Sequence, residues 1–444
     1  MEIHKSRDIT LFSFCEAFFK KALGILEQYV KTGASIPLIT YYEPVPHVNK
    51  NGEIKSISYV PYEDQDFGYL ILKCYKAIED LPEARIACDY ISEKKYLVIA
   101  ESVFDPFTLL TQALKYYLKN KGSFDYQEKE FIDIYTKIEN LIFNNEILFR
   151  CTSKLKNFSC SKDLIELDRS HFIKKYTQEE CKETYRHPSI NIYDHKLPIP
   201  GDFKIEVLTS KDKANWGEAG IEGTDEVKQV LTALRLFKDS AVSIATLEIN
   251  EPITWFPFTG KAYQLLPPPP IGDLCLIEDH EIPELIGLLE TIKNINYGNF
   301  PSLGVAIKRF NYSHEHKERE DALIDIMIGF EALFMKKEER DELRFKLALR
   351  VATFLEASMS MHRGKKNAIF DAVYEAYKLR SHVVHGQKVP GTMIWEYRIV
   401  KKYLSDSIKQ FARLSQKYTH EKVVDKIDGC IKSDSMENLE VLFS

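Results

Sequence analysis

Between residues 317 and 418, apolar side chains recur at helical spacing in four consecutive stretches, about Lys317 to Met335, Arg340 to Glu356, Lys365 to His385 and Thr392 to Tyr418. Short polar or Gly-containing joints separate them. Such joints leave consecutive helices no room to travel, so they lie antiparallel and bury their apolar stripes against one another. The third stretch ends on Leu379-Arg380-Ser381-His382-Val383-Val384-His385-Gly386. Its apolar face runs through Ala368, Ile369, Ala372, Val373, Ala376 and Tyr377, and Arg380 falls four residues after Ala376, so a charge is set on an apolar stripe. Gly386 reads as the residue just past the helix end, which leaves His385 at the negative end of the helix dipole.

An arginine and a histidine so placed can do chemistry on RNA. Guanidinium offers a planar fork of donors to a phosphate, and imidazole takes and gives protons near neutral pH. The same residues also serve ordinary helix-end capping, and their spacing alone does not separate the two uses.

Three blocks carry a family likeness: Asp321-Ala-Leu-Ile-Asp-Ile-Met-Ile-Gly-Phe-Glu331-Ala-Leu-Phe, Lys346-Leu-Ala-Leu-Arg350-Val-Ala, and Tyr377-Lys-Leu-Arg380-Ser-His-Val-Val-His385-Gly386. In this order they resemble the Apea-like branch of the HEPN superfamily over the C-terminal third of the chain, with a weaker echo in Ala233 to Phe237 and Ile307 to Phe310. The resemblance implies a four-helix bundle that usually dimerises and often acts as a metal-independent endoribonuclease, frequently in toxin or anti-phage abortive-infection systems. It puts Arg380 and His385 in the catalytic places. Many active members carry Asn, Asp or His directly after the arginine, whereas Ser381 stands here, still a polar donor and acceptor. The expected chemistry needs no cofactor. A ribose 2'-OH attacks its own 3'-phosphate, His385 moves protons, and Arg380 stabilises the charge developing on phosphorus. Ser381 and His382 are supporting candidates, the first as a donor to a phosphate oxygen, the second facing solvent. Two-fold pairing of the bundles would bring two motifs into one cleft, so a homodimer is expected.

Glu331 stands on the apolar stripe of the first of these helices, four residues after Met327 and three before Phe334. A charge aimed into a core needs a partner, and Arg380 or Arg350 is the one expected. That pairing opens a second reading, a non-catalytic RNA-binding or dimerisation module in which Arg380 is a structural ion-pair partner.

Charge is unevenly spread. Residues 301–420 hold 22 Lys and Arg against 15 Asp and Glu, a net of +7, while residues 421–444 net -3 and the first 300 residues -10. A basic bundle suits RNA as substrate. Lys378 and Lys388 lead the expected phosphate contacts, with Lys365, Lys366, Lys401 and Lys402 behind them, and binding should weaken as salt rises. These lysines also fit the solvated faces of amphipathic helices. The acidic first part is expected to cover the RNA-binding face until a trigger, phage-derived in such systems, displaces it.

The expected organisation is α+β: a mixed α/β region over 1–300 that senses or regulates, a HEPN-like helical bundle over 301–420, and an acidic segment over 421–444. In the first region, strands are predicted at Ile36 to Tyr42, Ser56 to Val60, Tyr69 to Tyr75, Tyr96 to Ala100, Lys204 to Leu208 and Val242 to Ile249. Asn51-Gly52 marks a hairpin turn. Helices are predicted at Leu11 to Lys31, Phe107 to Leu118, Glu128 to Asn145 and Asp225 to Phe237. The aromatic residues Tyr41, Tyr42, Tyr59, Tyr62, Phe67 and Tyr69 cluster near the hairpin, as sheet packing or as a surface for bases or a partner. Trp216 and Trp255 read as packing residues. Pro267 to Pro270 form a stiff segment bounding subdomains.

Other chemistries find little support. The eight cysteines form no Cys-x-x-Cys pair, and Cys151, Cys160, Cys181 and His187 match no common zinc spacing, so buried free thiols are expected. His314 and His316, two apart, point to different faces of a helix, and no metal is assigned. No Walker-type loop or dinucleotide fingerprint occurs. The best apolar run, Ala322 to Met335, is interrupted by Asp325 and Glu331, and Glu16 breaks Leu11 to Phe19, so neither a membrane span nor a signal peptide is expected and the cytoplasm is the expected location.

Overall fold

The computed structural model describes residues 6–48, 54–99, 102–103, 105–185, 198–212, 219–250, 262–265, 273–336, 339, 341–387, 393–433 and 437–443. Asn51-Gly52, His187, Trp216, Trp255, Pro267 to Pro270 and Lys388 lie outside these residues. The fold is α+β, and the chain divides into two compact units, one of residues 1–154, 170–227 and 245–266, the other of 155–169, 228–244 and 267–444.

In the first unit, helices α1 (Ile9–Lys31), α2 (Phe67–Lys73), α3 (Tyr75–Glu79), α4 (Pro82–Glu93), α5 (Pro106–Lys121) and α6 (Glu128–Phe143) surround a core of Phe18, Phe19, Leu110, Leu114, Tyr117, Phe131 and Tyr135. Asp8 shows how this core is tied. One of its oxygens caps α1 by accepting from the Thr10 and Leu11 amides, and the other accepts the Tyr90 and Tyr96 hydroxyls at 2.9 and 3.0 Å, so the helix start is bonded both to α4 and to the turn just beyond its end. Strands β1 (Leu38–Val48) and β2 (Ile54–Gln65) pair as an antiparallel ribbon, as the hairpin expectation requires. Strands β3 (Val98–Ile99) and β4 (Ser102–Val103) make a short second ribbon. Next come β5 (Glu146–Lys156), β6 (Phe158–Cys160), β7 (Leu164–Glu166), β8 (His171–Lys175), α7 (Gln178–Tyr185), β9 (Phe203–Asp212), α8 (Ala219–Phe237), β10 (Ser243–Ile244), β11 (Thr246–Asn250), β12 (Ala262–Leu265) and β13 (Cys275–Ile277). An antiparallel sheet runs in the order β12-β11-β5-β9-β8.

The strand expected at Tyr69 to Tyr75 is instead α2 and the start of α3. Its buried residues, Phe67, Leu70, Ile71, Cys74 and Ile78, repeat at helical steps, and Asp66 caps the turn by accepting the Tyr69 amide. The tyrosine cluster accordingly divides. Tyr41 and Tyr62 face each other across the ribbon at 5.6 Å, Phe67 enters the core, and Tyr69 is exposed. The strand expected over Val242 to Ile249 breaks at Ala245, whose amide bonds to Lys154 O, giving β10 and β11.

The second unit holds the four expected helices as α11 (Arg319–Phe334), α12 (Leu343–Ser358), α13 (Lys366–Val384) and α14 (Met393–Leu414). Four further helices complete their packing. Helix α10 (Pro301–Ser313) lies on α11 and α14, while α15 (His420–Ser433) and α16 (Glu437–Phe443) lie on α12, so the acidic end of the chain is helical and buries Val423, Val424, Ile427, Cys430, Leu439 and Leu442. Helix α9 (Ile282–Lys293) packs on α14. Phe334, Phe354 and Phe411 meet at the centre, their ring centroids 4.6 to 5.4 Å apart, which locks α11, α12 and α14 together. Glycine is needed where α11 crosses α14, because a Cβ at Gly329 would stand 2.9 Å from Leu404 Cδ2. The end of α8 belongs to the same packing, with Arg235 bonded to Asn311 and the Ser405 hydroxyl donating to Leu236 O. Among the described residues no helix is long and apolar enough to cross a membrane.

A candidate active site at the end of helix α13

Helix α13 is held by a buried row of Ile369, Val373 and Ala376, and Arg380 is the next position on that row. It is half-buried, the compromise open to a long side chain that lays its stem on apolar surface. The helix stops one turn later. Gly386 takes a left-handed φ of +70°, its amide bonds to Val383 O at 3.0 Å, and the Gln387 amide reaches back to His382 O at 2.9 Å. These two bonds satisfy the last carbonyls and need a residue without Cβ at Gly386. His385 is therefore the C-cap, exposed, with its amide on Ser381 O. Ser381 and His382 are half-buried, so His382 is less open to solvent than expected.

The arginines of this unit differ in their surroundings. Arg350, 4% exposed, is saturated: Glu339 takes two of its nitrogens at 2.6 Å each, Asp428 takes two at 2.7 and 2.9 Å, and Phe334 O accepts a further bond at 2.9 Å. Arg235 bonds to Val242 O and to Asn311 and pairs with Glu315, and Arg309 pairs with Asp325 at 2.7 Å. Arg380 has no such partner. Its Nε is buried and meets no acceptor, and among the described residues no carboxylate pairs with it. The guanidinium lies 5.7 Å from the centre of the Tyr377 ring.

Glu331 pairs with neither arginine proposed for it. Arg350 is already occupied by Glu339 and Asp428, and Glu331 instead lies close enough to the Tyr377 phenol to act on it electrostatically. Burial first, and then the Glu331 charge, push the Tyr377 phenol up, while Arg380 pulls the other way. Glu331, Tyr377 and Arg380 thus form a chain in which a tyrosine stands between carboxylate and guanidinium. The sequence offers the signal, since Tyr377 is three residues before Arg380 on the apolar face, but which side chain Glu331 meets is set by the packing of α11 on α13.

The basic surface is smaller than the lysine count suggests. Lys378 is exposed and paired with Glu375 at 3.3 Å, and Lys365 and Lys402 are exposed. Lys401 is buried against Asp239 at 2.6 Å, which removes it from any RNA-binding face.

Three further histidines of this unit are engaged within the fold. His316 Nε2 bonds to Asp325, which also holds Arg309. His362 bonds to Asp406 at 3.0 Å, a buried pair that the sequence reading does not single out and that no polymer in solvent can reach. His314, at the end of α10, is 4% exposed and stacks edge-on against Phe310. Burial, and then Lys401 and Arg235, hold it well below the usual histidine range. A pKa lower in the folded state means that the unfolded chain binds the proton first, so stability should fall as pH drops below about 6.5. Urea unfolding of wild type and His314→Phe on either side of that pH tests this; an equal pH slope in both would assign the dependence elsewhere. Cys151 and Cys181 are buried thiols pushed up to about 12 by desolvation, and all eight cysteines are free.

Comparison of the chain with family models, with curated proteins and with solved structures returned no match.

Proposed function

We propose that the chain is a metal-independent endoribonuclease of the HEPN type, a cytoplasmic effector of toxin or abortive-infection defence, with Arg380 and His385 at its centre. The unfilled Nε of Arg380 carries the reading. A buried donor without an acceptor costs about 1–3 kcal/mol, so a partly buried guanidinium left open five residues before an exposed histidine is best explained by an acceptor that arrives with the substrate. A phosphate meets that need in the form guanidinium prefers. The second reading, a non-catalytic module with Arg380 as a structural ion-pair partner, has less support, because no carboxylate among the described residues pairs with Arg380.

Five residues on an α-helix turn through roughly 500°, so Arg380 and His385 of one copy point apart by about 140°. A single motif therefore spreads its two groups, whereas two motifs facing across a two-fold axis supply both to one phosphate. His385 would take the 2'-OH proton and return one to the leaving 5'-oxygen, and Arg380 would hold the dianionic phosphorane, leaving a 2',3'-cyclic phosphate and a 5'-OH. Tyr377, beside Glu331, would act as a positioning residue for Arg380.

Purified full-length protein incubated with total cellular RNA in EDTA, and then mapping of the new ends, tests the reading. Cyclic-phosphate ends are expected. Intact RNA, or ends carrying 3'-OH, would overturn it. Light scattering in the same buffer should give at least a dimer, and a monomer with undiminished cleavage would rule out the shared site.

A further inference from the structure

Helix α13 carries an aromatic row that the core does not use up and whose far end joins the Arg380 motif. Phe370, Tyr374, Tyr377 and Ser381 recur at steps of four, three and four, so they share one face of the helix. Phe370 and Tyr374 are stacked, their centroids 5.5 Å apart and their planes within 20°. The start of α12 extends the row sideways. Phe345 meets Phe370 edge-on at 5.5 Å, and the Arg344 guanidinium lies 4.0 Å above the Tyr374 ring while its Nη2 donates to the Tyr374 hydroxyl at 2.5 Å. Phe345 is 49% exposed, although nothing about the end of α12 requires a large apolar group in water.

We infer that this strip is a base-stacking subsite for unpaired RNA leading to Arg380, an inference that rests on the ribonuclease reading above. The chemistry of the row fits that occupant. Aromatic rings and a guanidinium plane accept the flat face of any base, and Arg344, held over Tyr374, offers such a guanidinium. Charge is complementary to a polyanion. Arg344 stands over Tyr374 and Arg380 follows six residues further along the helix, about 9 Å at 1.5 Å per residue, with Lys378 exposed on the same stretch. The carboxylates near the row differ in their surroundings: Glu375 is on Lys378, Asp371 sits about a quarter turn off the row, and Asp341 and Glu342 are exposed at the start of α12. A duplex cannot use such a strip, because its bases are stacked on one another, so the substrate class is single-stranded RNA.

Phe345→Ser and Arg344→Gln change the solvent side of the strip, and unchanged melting will establish that each full-length variant is folded. The measurement is fluorescence anisotropy with a short fluorescein-labelled unstructured RNA and with the same strand annealed to its complement, together with cleavage kinetics. Each variant should weaken binding of the single strand about tenfold, leave duplex binding little changed, and lose cleavage through KM. Unchanged Kd and KM in both variants, with cleavage still abolished by Arg380→Ala, would overturn the strip and leave the nuclease standing. A variant that loses the dimer instead would show the strip to be a contact between copies, which also overturns it. Wild-type protein that neither binds nor cuts RNA would remove the nuclease reading itself.

Discussion

Arg380→Ala and His385→Ala are each expected to lower RNA cleavage by a factor of about 10² to 10⁴, the usual cost of removing a positioned proton-transfer or charge-stabilising group. Neither should unfold the protein. His385 is an exposed C-cap whose backbone makes the turn, and Arg380 has no carboxylate to abandon. Removing a guanidinium whose Nε is already without an acceptor takes away no bond at that atom. The expected signature is a variant with wild-type thermal midpoint and almost no cyclic-phosphate product. A large drop in midpoint for Arg380→Ala with cleavage retained would mark it as a structural residue and end the catalytic assignment. Tyr377→Phe offers an intermediate case: it keeps the ring under Arg380 but removes the hydroxyl beside Glu331, so a fall in cleavage without a fall in stability would identify tyrosine as positioning the arginine.

Arg350 should behave in the opposite way. It joins α12 to Glu339, to Asp428 on α15 and to the end of α11 at Phe334 O, and it is almost fully buried. Arg350→Met would leave two partly buried carboxylates with only Lys336 beside them, and breaking a buried pair in this way typically costs about 3–5 kcal/mol. The loss should depend on pH. Hydrogen bonding to Arg350 is the largest influence on Glu339 and brings its carboxyl down to about 2, against burial. A carboxyl whose pKa is depressed in the folded state stabilises above its unfolded value and loses that contribution as pH falls through the folded value. Wild-type stability should therefore decline from about pH 4.5 towards pH 2. In that window the gap between wild type and Arg350→Met should narrow, because the orphaned carboxylates can be neutralised by protonation. Denaturant midpoints at neutral and acid pH measure both effects, and a gap that stays constant would mean the carboxylates do not depend on Arg350.

Local rules were sufficient for much of this protein. The helices α11 to α14 are legible because an α-helix makes its hydrogen bonds within itself, so a period in the apolar residues is evidence enough. The end of α13 is legible for the same reason: Gly386 is the residue that can take positive φ, and the positions of Arg380 and His385 come from counting back from it. Tyr69 to Tyr75 failed because a short apolar run fits strand and helix alike, and the choice was made by which of its residues found a core. Helix α10 falls within the expected bundle but was not read as a helix, and α15 and α16 were set apart from it, although all three cover faces of α11, α12 and α14 that four helices alone would leave exposed.

Which charge meets which lay beyond the sequence. Glu331 and Arg350 both stand on apolar stripes and invite pairing, yet Arg350 takes Asp428, distant in the chain, and Glu331 lies beside Tyr377. Those partners depend on how helices are rotated and where α15 docks, and a helical period carries no such information. The sequence by itself determined that an arginine and a histidine would stand at the end of one helix, because helix geometry and capping are local. Only the tertiary structure decided that the arginine would be left without a counter-ion, because that depends on every side chain packed around it.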